Sequence, residues 1–237
     1  MQSTDWVSRT VGRSGPQALY NRAMERPPPP VLTVDSLLQA ADNALRALFA
    51  PAHSDRTPPG LPDPCPLDDA DRRHVAGLMR VNHAGEIAAQ ALYHGQALMA
   101  RGATTREFLL RAAAEEGDHL AWCEQRLNEL GARTSLLNPL WYAGSFVIGA
   151  AAAALSDTLS LGFVAETEHQ VEGHLAEHLE RLPASDLRSR RILETMQNDE
   201  LGHAHAAISA GARELPQPIR NAMRMTSRLM TRTAYWI

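Results

Sequence analysis

Two stretches of the chain share one pattern. Glu115-Glu116-Gly117-Asp118-His119 and Asp199-Glu200-Leu201-Gly202-His203 each read acid, glutamate, two spacers, histidine. In a helix, glutamate and histidine three positions apart leave the same face, so a carboxylate oxygen and an imidazole nitrogen can hold one cation between them. One such pair is a weak signal. Two, 84 residues apart and both in helical surroundings, describe a repeated metal half-site. A lone glutamate precedes each pair by about one helix-turn-helix length: Glu86 lies 30 residues before Glu116, and Glu168 lies 32 before Glu200. A glutamate from each of two helices with Glu-x-x-His from each of two others is the donor set with which a four-helix bundle holds a pair of metal ions in its core.

Four carboxylates and two imidazoles without a thiolate suit iron or manganese better than soft metals, and iron adds the capacity to activate dioxygen. The acid four residues before each histidine, Glu115 for His119 and Asp199 for His203, is placed to accept a hydrogen bond from the imidazole nitrogen that faces away from a metal. A solvent-facing role for either acid is equally open. Helix geometry arbitrates among the neighbours of Glu168. Glu166 is two positions away, a rotation of about 200°, and faces the opposite side, while Glu172 lies one turn along the same side and is the second choice.

The elements that carry these residues are helical. Leu37, Leu38, Ala41, Leu45, Leu48 and Phe49 space a short amphipathic helix over 34–49. Asp68, Asp69 and Asp71 suit the N-terminus of a long helix over 69–101, which Gly102 ends. Thr104 or Thr105 is a candidate cap for a second helix, 105–130, closed by Gly131. A third, 140–181, bends near its glycines and stops at Pro183. A fourth, 185–212, has Ser185 as its candidate cap, and a last helix covers 219–235. Glu86 is 16 residues before Gly102, Glu116 is 14 after it, Glu168 is 15 before Pro183 and Glu200 is 17 after. With both turns at one end of the bundle, all four glutamates lie about 21 to 26 Å from that end. No strand-type alternation occurs, so the expected architecture is an all-α bundle of four long helices in antiparallel sequence, with extra short N-terminal and C-terminal helices.

The rest of the composition narrows the function. The 237 residues carry a net charge of -4 and no basic block of the size a nucleic-acid surface requires. All 23 basic residues are arginine, which fits a GC-rich genome and leans towards a bacterial source. Cys65 and Cys123 form no Cys-x-x-Cys, which excludes a rubredoxin-like or zinc-ribbon site and points to a reducing compartment. Residues 1–33 read as a disordered extension ending near Pro27-Pro28-Pro29-Pro30, with a mitochondrial transit peptide as the lesser reading of its arginines. Residues 34–237 read as the functional domain, and nothing in the chain has the layout of a secretory signal.

Two segments bear on lipid. The uncharged run from Leu140 to Ser156 is 17 residues, at the lower limit for a spanning helix and rich in small residues, so a buried bundle helix over 148–165 is expected instead of a membrane span. Trp141, Tyr142 and Phe146 can rest among lipid headgroups or against a partner. The last helix carries Arg220, Arg224, Arg228 and Arg232 at four-residue spacing, which suits either anionic lipid or acids on the bundle.

Taken together, Arg80-Val81-Asn82-His83-Ala84-Gly85-Glu86, Glu115-Glu116-Gly117-Asp118-His119-Leu120, Val164-Ala165-Glu166-Thr167-Glu168-His169-Gln170, Asn198-Asp199-Glu200-Leu201-Gly202-His203-Ala204 and Met225-Thr226-Ser227-Arg228 resemble the demethoxyubiquinone hydroxylase family of ubiquinone biosynthesis, the ferritin-like di-iron monooxygenases. The resemblance covers about residues 35–237. It implies that Glu86, Glu116, His119, Glu168, Glu200 and His203 bind two iron ions, with Glu116 and Glu200 bridging. It implies insertion of one oxygen atom from O2 into the ring of a demethoxylated polyprenyl benzoquinone, with NADH as the external reductant. A peripheral membrane location is implied, at the cytoplasmic face of a bacterial cell membrane or the mitochondrial inner membrane, among other ubiquinone-biosynthesis proteins, with self-association open. Tyr93, two turns from Glu86, is placed either to meet the quinone or to sit in the core with its hydroxyl satisfied. His83, one turn before Glu86, is a further candidate neighbour of the site. The competing readings are a ferritin-like hydroxylase of a modified tRNA base, iron storage or peroxide handling, and a lipid-binding bundle without chemistry.

Overall fold

A computed structural model describes residues 32–60 and 66–237. The N-terminal extension expected over 1–33, all but its last two residues, and Cys65 lie outside the described residues. Seven helices and no strand are found among them: α1 (Val34–Phe49), α2 (Asp69–Met99), α3 (Ala103–Glu129), α4 (Asn138–Leu155), α5 (Asp157–Arg181), α6 (Leu187–Ser209) and α7 (Gln217–Ala234). The arrangement is a ferritin-like four-helix bundle of α2, α3, α5 and α6, with α1 and α7 as the extra terminal helices.

Local chemistry sets the helix ends. Asp68 caps α2, its carboxylate accepting from the amides of Ala70 and Asp71. Gly131, at φ 66°, ends α3 in the left-handed region that glycine adopts without strain. Two caps differ from expectation. Gly102 precedes α3 without any side-chain cap, and its amide donates to Asp157 Oδ2 at 2.7 Å. Asp186, not Ser185, caps α6 by accepting from the Ser189 amide at 2.8 Å.

The expected single helix over 140–181 is two helices. The chain reverses at Ser156, whose hydroxyl accepts from the Leu159 amide and starts α5. The adjacent Asp157 accepts from the amides of Arg101 and Gly102, tying this reversal to the α2–α3 turn. The uncharged α4 is therefore the crossover of the bundle. It runs alongside α2, with Gly95 against the Phe146 carbonyl and Gly149 against the Leu92 carbonyl. It returns the chain to the opposite end, so α3 and α5 run parallel rather than antiparallel.

This topology also corrects the placement of the turns. Val75, Leu130, Leu182 and Ile192 share one core cluster, whereas Ala100, Leu109, Val164 and Ala207 share another. The α2–α3 turn and the α5–α6 turn thus lie at opposite ends of the bundle. The glutamates still meet at one level, because each sits near the middle of its helix. No described helix is long and apolar enough to cross a membrane.

Candidate metal centre and apolar cavity

The two core clusters leave a polar layer between them. Along α2 it falls between Met79 and Ala89, along α3 between Ala113 and Trp122, along α5 between Ala165 and Leu175, and along α6 between Met196 and Ala207. Glu86, Glu116, His119, Glu168, Glu200 and His203 all lie in this layer. The first five are almost fully buried, and the His203 side chain is 16% exposed. The order apolar, polar, apolar along every helix is why six polar groups occur where the core stripe should run.

Their donor atoms converge. His119 Nδ1 lies 3.1 Å from Glu116 Oε2, 3.1 Å from Glu200 Oε1 and 3.9 Å from Glu86 Oε2. His203 Nδ1 lies 3.2 Å from Glu116 Oε1 and 3.4 Å from Glu200 Oε2. Ligand-type atoms of Glu86, Glu116, His119 and Glu200 fall within 4.8 Å of one another, as do those of Glu116, Glu168, Glu200 and His203. Glu116 and Glu200 belong to both sets. Glu116 Oε1, both oxygens of Glu200 and His203 Nδ1 make no hydrogen bond among the described residues despite complete burial of those atoms. Their closeness without hydrogen-bond geometry is what a shared cation satisfies, and buried polar groups are otherwise almost always paired. The donor set therefore fits two hard or borderline metal ions.

Electrostatics agree. Burial, reinforced by the charges of Glu116 and Glu200, holds Glu86 well above the usual carboxylate range, and burial with the same neighbours does so for Glu168. Burial also works to raise Glu116, but the imidazoles of His119 and His203 outweigh it and hold this carboxyl below that range. Against the effect of burial, Asp199, Glu116 and Glu200 raise His119, and Glu116 and Glu200 raise His203 to about 10. Four buried carboxylates close together require positive charge, and protons supply it where a metal ion does not.

The acids beside the histidines are exchanged relative to the sequence reading. His119 Nε2 lies 3.1 Å from Asp199 Oδ2, and His203 Nε2 lies 3.0 Å from Glu115 Oε2. Each acid serves the histidine of the facing helix. Arg56, in the proline-rich segment between α1 and α2, was not singled out in the sequence. Its Nη1 donates to Asp199 Oδ2 at 2.7 Å and its guanidinium lies 4.7 Å from the Trp122 ring centre. No local motif marks it, because the partners of its guanidinium, Asp118, Trp122 and Asp199, lie 62 to 143 positions away. Tyr93 is fully buried and its hydroxyl donates to Glu168. His83 points elsewhere, with its Nδ1 3.4 Å from Asn138 Nδ2. Glu172 accepts from Gln197 and stands outside the cluster. Glu166 faces away, 2.9 Å from Arg220 Nε.

A cavity of about 520 Å³ opens between α2, α4, α5 and α7 and ends at Glu86. Its walls are chiefly apolar and include Leu92, Trp141, Ile148, Phe163, Leu175 and Met223. Trp141 therefore faces the cavity, and Tyr142 is buried with its hydroxyl 3.1 Å from His94 Nδ1, so of the two roles open to them in the sequence, lipid headgroups or a partner, Tyr142 takes neither. Of the four arginines of α7, Arg220 pairs with Glu166 and Glu214, while Arg224, Arg228 and Arg232 form no ion pair among the described residues.

Comparison with known proteins follows the same lines. A family model described as "Ubiquinone biosynthesis protein COQ7" matches residues 73–234. A protein of Azoarcus sp. (strain BH72) named 3-demethoxyubiquinol 3-hydroxylase is 57% identical over 203 residues, covering 85% of this chain and 98% of its own length. Proteins of the same name from Nitrosomonas europaea (54% over 209 residues; 87% and 100% covered) and Bordetella petrii (57% over 206 residues; 86% and 92% covered) are similarly alike.

Proposed function

From the premise that the chain belongs to the COQ7 family of ubiquinone biosynthesis proteins, we propose that residues 34–237 form a di-iron monooxygenase that hydroxylates the ring of a demethoxylated polyprenyl quinone. The observation that carries this reading is the meeting of two overlapping donor sets, sharing Glu116 and Glu200, with the inner end of an apolar cavity at Glu86. Glu86 and His119 complete one set, and Glu168 and His203 complete the other. When bound, two iron ions supply the activation of O2, one atom of which ends in the ring hydroxyl and the other in water, with electrons from an external reductant such as NADH.

The chain positions and protects. Asp199 and Glu115 accept from the outer nitrogens of His119 and His203, so the proton each imidazole gives up on metal binding is the one on Nδ1, which faces the carboxylates. Tyr93 fixes the rotamer of Glu168 through its hydroxyl. The cavity walls take the ring and the first part of its prenyl tail and exclude water from the reacting edge. A hydrophobic passage suits a polyprenyl chain, whereas a modified base on tRNA would need a basic approach. Exposed Leu140, Val147 and Leu155 on α4, with Met225 and Leu229 on α7, suit the surface of a bilayer from which such a substrate must come. We place the enzyme at the cytoplasmic face of the membrane, among other proteins of ubiquinone synthesis.

The test is iron content and turnover measured together. The purified chain, incubated aerobically with a short-chain demethoxyquinone and NADH, should hold about two irons and yield a product heavier by one oxygen. Glu168→Ala should lose both. Iron without product would move the reading to storage or to another substrate.

A further inference from the structure

Asn82 lies one turn before Glu86 on α2, is 4% exposed and lines the same cavity. Its two amide atoms have different fates. Oδ1 is 2.8 Å from His178 Nδ1, while Nδ2 is buried with no hydrogen-bond partner among the described residues. A buried amide N–H left unpaired costs roughly as much as a lost hydrogen bond, so a built-in donor of this kind points to a ligand acceptor.

The amide oxygen is the atom turned towards His178. His178 is buried, and desolvation, with His174, Arg181 and His74 nearby, pushes its imidazole down to about 2, so the ring is neutral. A neutral imidazole facing a carbonyl oxygen must present N–H there. His178 Nδ1–H therefore donates to Asn82 Oδ1, and the amide NH2 is turned away from it.

We propose that Asn82 Nδ2 donates a hydrogen bond to a ring oxygen of the quinone and so selects which edge of the ring faces Glu86. The proposal rests on the substrate reading above. Asn82 and Glu86 are separated by about 6 Å along the helix, one turn, which is of the order of a benzoquinone ring with its oxygens. A ring anchored at Asn82 thus extends towards the donor cluster, while the apolar walls carry the tail. Apolar packing alone would hold the tail but leave the ring free to turn. Trp141 Nε1 and His174 Nε2 also line the cavity without a hydrogen-bond partner among the described residues, and of the three Asn82 is the one on the helix of Glu86, one turn away.

The experiment compares two probes on the full chain: a short-chain demethoxyubiquinone and a prenyl alcohol of the same tail length without the ring. Binding of each is measured by calorimetry on wild type, Asn82→Leu and Asn82→Ala, with iron content and melting temperature alongside. Quinone binding should weaken about ten-fold in both variants, the scale of one lost hydrogen bond. Binding of the prenyl alcohol and iron content should stay unchanged. Quinone affinity unchanged in a variant that still binds the alcohol overturns the role of Asn82. Equal loss of both probes in both variants also overturns it, because it shows a general collapse of the cavity. A wild-type chain that binds the alcohol and no quinone overturns the substrate reading itself, and the proposal with it.

Discussion

Asp199 Oδ2 lies 3.1 Å from His119 Nε2, across the interface between α6 and α3, while Glu115 reaches back from α3 to His203. The two half-sites are therefore interlocked. Neither helix can carry its own histidine and its own supporting acid, so each half needs the other helix in register. Loss of such a supporting acid typically costs 10- to 100-fold, roughly, in metal affinity. Asp199→Ala should weaken iron binding on that scale. Glu115→Ala should do so less, because its side chain is 60% exposed and already shared with water. Anaerobic titration of the metal-free chain with Fe(II) measures both.

Metal binding should tighten as pH rises. His119, His203, Glu86 and Glu168 all have raised pKa values in the folded chain. For His203, raised to about 10, the stabilisation from Glu116 and Glu200 is fully present below its ordinary value of 6.5 and is lost as pH rises through about 10. Glu86 and Glu168 act in the same direction: each is held protonated by burial, and the stability that this gives the metal-free chain is lost as pH rises above the ordinary carboxylate value. Metal ligation needs all four deprotonated. The difference in melting temperature between metal-loaded and metal-free protein should therefore grow from about pH 6.5 to about pH 9.5.

Glu168→Gln and Glu172→Gln separate the proposed ligand from its near neighbour. Glu168 is buried in the cluster under Tyr93, whereas Glu172 accepts from Gln197 outside it. The first variant should lose at least half of the bound iron and the hydroxylation. The second should keep both, as read by metal analysis and product mass.

The α2–α4 contact depends on the absence of side chains. A Cβ on Gly95 would lie 2.1 Å from the Phe146 carbonyl oxygen, and one on Gly149 would lie 2.1 Å from that of Leu92. Backbone cannot give way as a flexible side chain does. Gly95→Ala and Gly149→Ala should each destabilise the chain by about 1–3 kcal/mol or more, visible as a lower urea midpoint. Gly144→Ala, with nothing within 4 Å, is the matched control and should stay near wild type.

Ala222, on α7, lines the cavity and is exposed. Ala222→Trp should narrow the entrance without disturbing the core. The KM for a short-chain demethoxyquinone should rise roughly ten-fold, a barrier of about 1.4 kcal/mol, while iron content and melting temperature stay the same. An unchanged KM would place substrate entry elsewhere.

The sequence by itself marked the six residues that meet in the buried cluster, and determined the all-helical class. Both are properties of spacing along a single helix: Glu and His three apart share a face, and Glu166 and Glu168 cannot. Capping at Asp68 and the glycine at 131 are likewise local. What the sequence left open depends on which helix lies beside which. The reversal at Ser156 turned one expected helix into a crossover and a bundle helix, and its signal, a serine cap followed by Asp157, sat inside a run that also reads as continuous helix. With that reversal the two turns moved to opposite ends. The donor level survived because each glutamate is near the centre of its helix, not because the turns share an end. The exchange of Asp199 and Glu115 between histidines, the clamp from Arg56 and the unpaired amide of Asn82 were decided only by tertiary packing. A side chain long enough to cross a helix interface chooses its partner by three-dimensional distance, and spacing in one chain carries no record of that.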